Sequence, residues 1–429
     1  MQSTAQTSAT STQNVQYDPA ELLNSRYKKV KRLGEGSYGT VFLAIDTKPK
    51  GIKRKIDQKY LQLLDKVEDP QKDEFDKANK VVSAGQIRDA SGDVIMVEEQ
   101  KEALKILENK SLIFNQNEVF VGGQNENDQV QSNSDTKLEN QSSTEKQPTE
   151  FLVAIKKFKL NSFNDRKGIP FTALREIKIL QELNHPNIIG LYDVFYLQKI
   201  IFLALEYMPH EFTALIRDQT ILLKEEHIKN IMHQILSAVD YLHQNFVMHR
   251  DLTPGNLLLG ADGTIKLADF GLAKMYGTPE RKHSAGVCTR EYRAPEVLFG
   301  ASYYGPMVDI WSVGCILGEL LIRVPLFPGR TDIDQLGKIF TLRGSANNEN
   351  WQGVEELPNY LEFTIKDIKP LNEVFPFASE QCLDLLDKLI QLDPSKRPTA
   401  REALEHPFFT TELPRACLNS ELPLPQQKK

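Results

Sequence analysis

Three oxygen-bearing side chains stand close together in the stretches 249-HRDLTPGN-256 and 269-DFG-271. Asp251 can accept a proton from an attacking hydroxyl group. Asn256 and Asp269 offer the hard oxygen donors that Mg²⁺ prefers, and magnesium needs few protein ligands when phosphates supply the rest. This order of residues predicts phosphoryl transfer, in which the protein holds phosphates, neutralises charge and aims the nucleophile.

A glycine-rich stretch, 34-GEGSYGTV-41, lies between two runs with strand patterning. Such a loop allows backbone N–H groups to approach phosphate oxygens. In a dinucleotide-binding fold the glycines would open a helix, whereas here VFLAI follows and is typical of a strand. The pattern favours a hairpin that covers phosphates. A tight turn without a ligand is the alternative that this motif leaves open on its own.

A lysine and a glutamate lie on the elements expected to follow this hairpin. Lys156 interrupts the apolar strand pattern 153-VAIKKF-158, and Glu176 lies in the helical pattern 170-PFTALREIKILQEL-183. If Lys156 faces a cleft it needs a carboxylate partner, and Glu176 could supply one while the ammonium group meets nucleotide phosphates. The alternative for each residue is an exposed position with no such role.

The elements that must position these residues fall into two groups. Strand patterns occur at 27–45, 151–158, 191–195 and 200–207, and mostly helical patterns follow Pro209, including 226–243 and 399–409. We therefore predict a flexible tail at 1–22, a β-rich lobe at 23–207, an α-rich lobe at 208–410 and a C-terminal tail at 411–429. The β-rich lobe is interrupted at about 48–150 by a segment rich in Asn, Gln and Ser. We interpret it as a mostly disordered insertion between two strands of one sheet; a small separate domain is the alternative.

The composition restricts the class of protein. The chain has 429 residues, is 40% hydrophobic and 26% charged, and has a formal net charge of −6, which is typical of a soluble protein and disfavours nucleic-acid binding. Its four cysteines lie far apart, which disfavours a disulfide framework or a zinc site. Neither a signal peptide nor an apolar run of membrane-spanning length is expected, so we predict an intracellular protein without membrane contact.

Together these motifs resemble the eukaryotic protein kinases, from about Arg26 to Phe409 apart from the insertion. Also similar are 294-APE-296, Asp309 before Trp311, and Arg397, which the resemblance pairs with Glu296. It implies an α+β, two-lobed kinase fold that uses ATP and Mg²⁺. The implied catalytic residues are Asp251, Lys156, Glu176 and Thr253, and the implied metal ligands are Asn256 and Asp269. The implied ATP-binding residues are Leu33, Gly34, Glu35, Gly36, Ser37, Tyr38, Gly39, Val41, Ala154, Lys156, Glu206, Met208 and Leu258.

Within that family, 170-PFTALRE-176 and 292-YRAPE-296 are similar to the cyclin-dependent kinases. Further stretches, such as 277-GTPERKHS-284, are similar to the branch that activates other cyclin-dependent kinases and belongs to transcription factor IIH. This implies an H-type cyclin and a RING-finger assembly factor as partners, and a nuclear location with the cytoplasm also open. The implied protein substrates are activation loops of other cyclin-dependent kinases and the C-terminal repeat of RNA polymerase II. Another cell-cycle or transcription-elongation kinase is the alternative, because those branches share Pro170.

Three residues depart from the family pattern. Thr253 replaces the catalytic-loop lysine that contacts the γ-phosphate, Glu291 replaces a tryptophan beside the substrate groove, and Leu205 replaces a phenylalanine behind the nucleotide pocket. Since every other catalytic element is present, an active but slow kinase is the favoured hypothesis. A catalytically impaired scaffold that binds a cyclin is the competing one.

The resemblance also implies sites of regulation. Ser284 aligns with the phosphorylated residue of the activation segment, and Thr278 begins a proline-directed site upstream of it. A phosphate on Ser284 could gather three cations, Arg175, Arg250 and Lys274; the competing hypothesis is that partner proteins hold the segment without phosphate. Ser37 and Tyr38 match inhibitory sites at the tip of the glycine loop, where an unmodified pair is the alternative.

Overall fold

The computed structural model describes residues 22–35, 39–48, 87–88, 94–95, 151–158, 171–198, 200–277, 288–365, 367–411 and 413–425. The chain forms two units, one of Met1–Tyr60 with Glu150–Lys429 and one of Leu61–Thr149. The expected tail at 1–22 and the expected disorder of the insertion fall almost entirely outside the described residues. Those described in the smaller unit form a pair of two-residue antiparallel strands.

The strands of the described residues are named in chain order: β1 (Leu22–Leu23), β2 (Tyr27–Glu35), β3 (Gly39–Asp46), β4 (Ile87–Arg88), β5 (Val94–Ile95), β6 (Leu152–Phe158), β7 (Leu191–Leu197), β8 (Ile200–Glu206), β9 (His210–Glu211), β10 (Val247–Met248), β11 (Leu257–Leu259), β12 (Ile265–Leu267) and β13 (Lys274–Met275). The α-helices are α1 (Phe171–Glu182), α2 (Phe212–Arg217), α3 (Glu225–Gln244), α4 (Pro295–Leu298), α5 (Met307–Ile322), α6 (Asp332–Arg343), α7 (Leu371–Val374), α8 (Glu380–Leu389), α9 (Ala400–Leu404) and α10 (Pro407–Thr410).

The first lobe is a six-stranded sheet in the order β1-β2-β3-β6-β8-β7 with α1 beside it. Val153 and Ile155 of β6 are buried on one face of the sheet, and aromatic rings complete the core. Tyr27 stacks on Phe195 with ring centroids 5.3 Å apart, and Phe195 stacks on Phe202 at 5.1 Å. The strands expected at 27–45, 151–158, 191–195 and 200–207 are confirmed.

The two ends of the insertion are connected to β3 and β6, which are neighbouring strands inside this sheet. β3 pairs with β6 in antiparallel register from Gly39–Phe158 to Ile45–Leu152. Beyond the last pair, the Asp46 N–H donates to the Phe151 carbonyl at 2.8 Å, and the Thr47 N–H donates to the Arg26 carbonyl at 3.1 Å. The insertion therefore leaves and re-enters the sheet between neighbouring strands that remain hydrogen-bonded up to the junction.

The second lobe is helical and is built around two long helices, α3 and α5. α3 confirms the helix expected at 226–243, and α5 is buried along most of its length. The helical pattern expected at 399–409 is present but is divided between α9 and α10. Pro407 cannot donate a backbone hydrogen bond, and the His406 ring accepts one from the Phe408 N–H at 3.2 Å, which starts a new helix.

The end of the chain packs on α3, and we call residues 413–425 the C-terminal strap. The buried Lys229 ammonium donates to the Pro414 carbonyl at 2.8 Å, and Asn230 Nδ2 donates to the Cys417 carbonyl at 2.8 Å. Leu422 is buried as well. Within the described residues, none of the helices has the length and apolar character needed to cross a membrane.

Candidate active site

Lys156, Glu176 and Asp269 form a charged cluster between the two lobes. β6 places Lys156 opposite Val41 of β3 and Leu203 of β8, in the centre of the sheet, and α1 brings Glu176 underneath. The ammonium Nζ lies 2.8 and 2.7 Å from the two Glu176 carboxylate oxygens and 3.0 Å from Asp269 Oδ1. Lys156 is 7% exposed and Glu176 1%, so the expected pair is present and faces a cleft.

The carboxylates beside Lys156 oppose the effect of burial on its pKa. Burial acts to lower the pKa of Lys156, but the carboxylates of Glu176 and Asp269 outweigh it, and the pKa is raised above its ordinary value. The ammonium group therefore stays charged at neutral pH. A fixed positive charge that touches both α1 and Asp269 is suited to hold phosphate oxygens.

One buried carboxylate, that of Asp309, anchors the loop at 249–256 that carries Asp251. Asp309, at the start of α5, accepts hydrogen bonds from the N–H groups of His249 at 2.9 Å and Arg250 at 2.8 Å, and from His243 Nε2 at 3.0 Å. Burial alone would raise the pKa of Asp309, but the His243 hydrogen bond, the nearby His249 ring and the Arg250 N–H together lower it. Arg250 has a φ of +65°, which turns the chain so that Asp251 faces the cleft.

Asp251 is oriented from two sides. Asn256 Nδ2 donates to Asp251 Oδ2 at 2.9 Å and to its carbonyl at 2.8 Å. Thr289 donates from its N–H and its hydroxyl to Asp251 Oδ1 at 3.0 and 3.1 Å. Thr289 was not expected from the sequence; its only signal is its place directly before 290-REYRAPE-296, and a threonine in a loop points to no partner.

Asn256 and Asp269 reach the cleft from the ends of two paired strands. Leu257 of β11 is the register partner of Leu267 of β12, and the Ala268 N–H donates to the Asn256 carbonyl at 2.9 Å. Asp269 has a φ of +60°, and its Oδ1 accepts the Lys156 hydrogen bond. Asn256 Nδ2 is bound to Asp251, so Oδ1 is the atom that can face a cation, together with Asp269 Oδ2.

The residues expected around ATP line the strands above the cleft and the connection below it. Gly34 is the register partner of Val41, and Ala154 is the register partner of Leu205, which is buried behind this surface. A side chain at Gly39 would place its Cβ 2.2 Å from the Lys157 carbonyl oxygen, so the glycine is required by the β3–β6 approach. The other expected ATP-binding residues that the structure describes are Leu33, Glu35, Lys156, Glu206, Met208 and Leu258.

Two of these expectations need qualification. The Glu206 carboxylate accepts from the Gly190 N–H at 3.2 Å and lies 3.1 Å from Lys266 Nζ, so any contact of Glu206 with adenine belongs to its backbone. Gly36, Ser37 and Tyr38 lie outside the described residues, and so do the expected modification sites Thr278 and Ser284.

Thr253 lies between the base and the metal donors, where the family carries a lysine. It is 7% exposed and directly precedes the short 3₁₀ helix Pro254–Asn256, whose last residue donates its N–H to the Thr253 carbonyl at 3.0 Å. Its hydroxyl can offer a hydrogen bond but not a charge. The loop geometry is therefore intact around a neutral side chain.

The ion pair implied between Glu296 and Arg397 is present and buried. Arg397 Nη1 and Nη2 lie 2.7 and 2.8 Å from the two Glu296 carboxylate oxygens, and the guanidinium lies over the Trp311 ring of α5. This bidentate pair fixes α4, which contains Glu296, to the core of the second lobe.

The cations expected to gather a phosphate converge on one stretch. Arg175 Nη1 donates to the Gly271 carbonyl at 3.3 Å, Arg250 Nε donates to the Leu272 carbonyl at 2.9 Å, and Lys274 follows as the first residue of β13. Helix α1, the catalytic loop and the start of the activation segment thus contribute one cation each.

Comparison with known proteins gives a consistent result. The protein kinase domain family matches residues 142–409. Cyclin-dependent kinase 7 from Dictyostelium discoideum is 45% identical over 282 residues, 65% of this chain and 78% of the relative. Cyclin-dependent kinase 7 from Xenopus laevis is 48% identical over 265 residues, 61% of this chain and 75% of the relative. A chain in the structure of the CAK complex from Chaetomium thermophilum bound to ATP-γ-S has a TM-score of 0.64 and 33% identity, covering 92% of this chain and 94% of that chain.

Proposed function

We propose that this protein phosphorylates activation loops of other cyclin-dependent kinases, the C-terminal repeat of RNA polymerase II, or both. The chain belongs to the protein kinase family, as an ATP-dependent, cyclin-dependent serine/threonine kinase. The observation that carries an active kinase is the joint placement of Asp251, Asn256, Asp269 and the Lys156–Glu176 pair around one cleft. Similarity to cyclin-dependent kinase 7 over most of the relative's length supports this choice of substrates.

The geometry assigns a separate task to each residue. Asp251, with one oxygen held by Thr289 and the other by Asn256, receives the proton of the substrate hydroxyl as that oxygen attacks phosphorus. The bond between the γ-phosphorus and the bridging oxygen breaks, and ADP leaves. Lys156, kept charged by Glu176, holds the phosphates in line for this attack.

The donor set fits a magnesium ion. Asn256 Oδ1 and Asp269 Oδ2 are hard oxygens at the ends of neighbouring strands, and each belongs to a side chain whose other polar atom is already bonded. Asn256 and Asp269 would hold a divalent cation, which would supply positive charge against the negative charge that develops during transfer. The chain itself supplies the two oxygens and holds them in place through the β11–β12 pairing.

Thr253 favours a second candidate function, a scaffold that binds a cyclin and transfers phosphate poorly. Loss of one charge-neutralising contact at the transition state commonly costs about 10²–10³ in rate. We place the active kinase first because each remaining group around Asp251 is bonded as transfer requires.

The decisive experiment is phosphate incorporation from labelled ATP by the full chain with a purified H-type cyclin. The substrates are a peptide of the polymerase repeat and an inactive cyclin-dependent kinase. We expect incorporation into at least one of them, and Asp251→Asn should abolish it while ATP binding, followed by calorimetry, is retained. Equal loss of ATP affinity and turnover would contradict the role of Asp251. Absence of incorporation with the unmodified chain would favour the scaffold.

We extend the proposal to partners, location and modification. Similarity to cyclin-dependent kinase 7 and to a CAK complex supports an H-type cyclin, a RING-finger assembly factor and association with transcription factor IIH in the nucleus. The convergence of Arg175 and Arg250 near Lys274 supports phosphorylation of Ser284 as the event that orders the activation segment. Ser284→Ala should lower activity with cyclin alone. Activity equal to the unmodified chain, both with cyclin alone and with the assembly factor added, would contradict this role.

A further inference from the structure

The turn that holds Thr289 against the catalytic base also carries Glu291. Thr289 is exposed and donates twice to Asp251 Oδ1, and Glu291 lies two residues later in the 3₁₀ helix Arg290–Tyr292. Two residues of chain span at most about 7 Å. A peptide whose hydroxyl approaches Asp251 must therefore pass close to Glu291.

The arginines of this turn are bonded away from Glu291. Arg290 Nε donates to Asp332 Oδ1 at 2.9 Å, and its Nη1 donates to the Arg330 carbonyl at 3.1 Å. Arg293 Nη2 donates to the Cys288 carbonyl at 2.7 Å, and its Nη1 lies 3.3 Å from Asp332. Glu291 itself forms no hydrogen bond or ion pair within the described part of the chain. Its half-buried carboxylate is left as a negative charge beside the reaction centre.

The residue after Glu291, Tyr292, binds a buried carboxylate on which the charge of Glu291 acts. The Tyr292 hydroxyl donates to Glu319, which is buried in α5. Burial raises the pKa of Glu319; the charge of Arg217 acts against the rise, and the charge of Glu291 adds to it. Arg217 is the exposed last residue of α2, and its charge and that of Glu291 both act on Glu319.

We propose that Glu291 is a specificity-determining residue that selects substrates with arginine or lysine within about three residues of the phosphorylated side chain. An extended peptide advances about 3.3 Å per residue, so a cation at that separation reaches the turn. Arginine should be preferred over lysine because its planar guanidinium can bind a carboxylate through two hydrogen bonds. This inference rests on the proposed protein kinase activity and concerns substrate choice at the same site.

The test uses the full chain with its cyclin and a set of peptides with one serine. Arg, Lys, Ala or Glu is placed in turn at each of the three positions on either side of the serine, and kcat/KM is measured for each peptide. At one or more positions we expect Arg to exceed Ala by about two- to fivefold, the size of a partly screened ion pair. Glu291→Gln should bring the Arg-to-Ala ratio close to one. The matched variant Arg217→Ala, which removes a cation that acts on Glu319, should keep the ratio.

Three results would overturn the inference. They are the absence of a basic preference at all six positions, a preference that Glu291→Gln retains, and an equal fall for all peptides with the ratio unchanged, which would assign Glu291 to holding the turn. Failure of the unmodified chain to phosphorylate any peptide is a different result, because it contradicts the proposed function and this inference with it.

Discussion

We expect Thr253 to limit the rate of this active site. It stands between Asp251 and Asn256 without a charge, while both neighbours keep their hydrogen bonds. Thr253→Lys should therefore raise kcat by about 10²–10³-fold, because an ammonium group would return to the transferring phosphate. Single-turnover rates with saturating ATP check this directly. Thr253→Met, which adds length without charge, should give no such gain, and an equal gain would assign the effect to packing.

Lys156 is the partner of a buried carboxylate, and we propose that it also contacts phosphate. Lys156→Met should abolish transfer and lower the free energy of unfolding by about 3–5 kcal/mol, because Glu176 would remain buried without a cation. Adding Glu176→Gln should restore much of the stability but none of the activity. Denaturant unfolding and phosphate transfer, measured on both variants, separate the two roles. A double variant no more stable than the single one would contradict this account.

At the level of residues, prediction from sequence depended on chemical type. A lysine in an apolar strand and a glutamate in the next helix are unusual enough to suggest a pair, and the structure has Lys156 and Glu176 2.7 Å apart. Thr289 carries no such signal, since threonines are common in loops. The fold brings Thr289, which follows Asp251 by 38 positions in the chain, into contact with the Asp251 carboxylate.

At the scale of the elements, the β3–β6 pairing predicts that the insertion can be shortened without loss of the fold. The pair remains hydrogen-bonded up to Asp46 and Phe151, so a short turn can replace Lys50–Thr149 without moving either strand. We expect the shortened chain to fold and keep its activity with cyclin. Closing a loop of about four residues instead of about a hundred should raise the free energy of unfolding by about 2–3 kcal/mol.

The measurement is denaturant unfolding of the two chains, followed by phosphate transfer. As a control, a Gly/Ser linker of the original length should return the stability to that of the full chain. A shortened chain that fails to fold would show that the insertion packs against the sheet and supports it.

The elements also show where sequence patterns fail. The periodicity of 399–409 is helical throughout, but Pro407 breaks it into α9 and α10. Lys229 and Asn230 look like the solvated face of an amphipathic helix, yet both are buried beneath the C-terminal strap. Local periodicity could not reveal this, because the covering segment comes about 185 residues later in the chain.

For the whole molecule, the C-terminal strap should contribute to global stability. A chain that ends at Thr411 would lose the bonds to Lys229 and Asn230 and uncover the site of Leu422. We expect the free energy of unfolding to fall by about 2–4 kcal/mol, from one buried leucine and a few hydrogen bonds. Urea unfolding checks this, with a chain ending at Pro425 as the matched control. Equal midpoints for the chains that end at Thr411 and Pro425 would show that the strap adds nothing.

Asp309 ties the catalytic loop to the same helix, α5, whose Trp311 supports the Glu296–Arg397 pair. The described backbone directly before Asp251 is therefore anchored to a helix in the core of the second lobe. Warming such an enzyme should not produce a long-lived folded but inactive population, as happens where an active site rests on a loosely held loop. Its working life at high temperature would be set by the rate at which the second lobe opens, and a stabilising change in α5 would lengthen it.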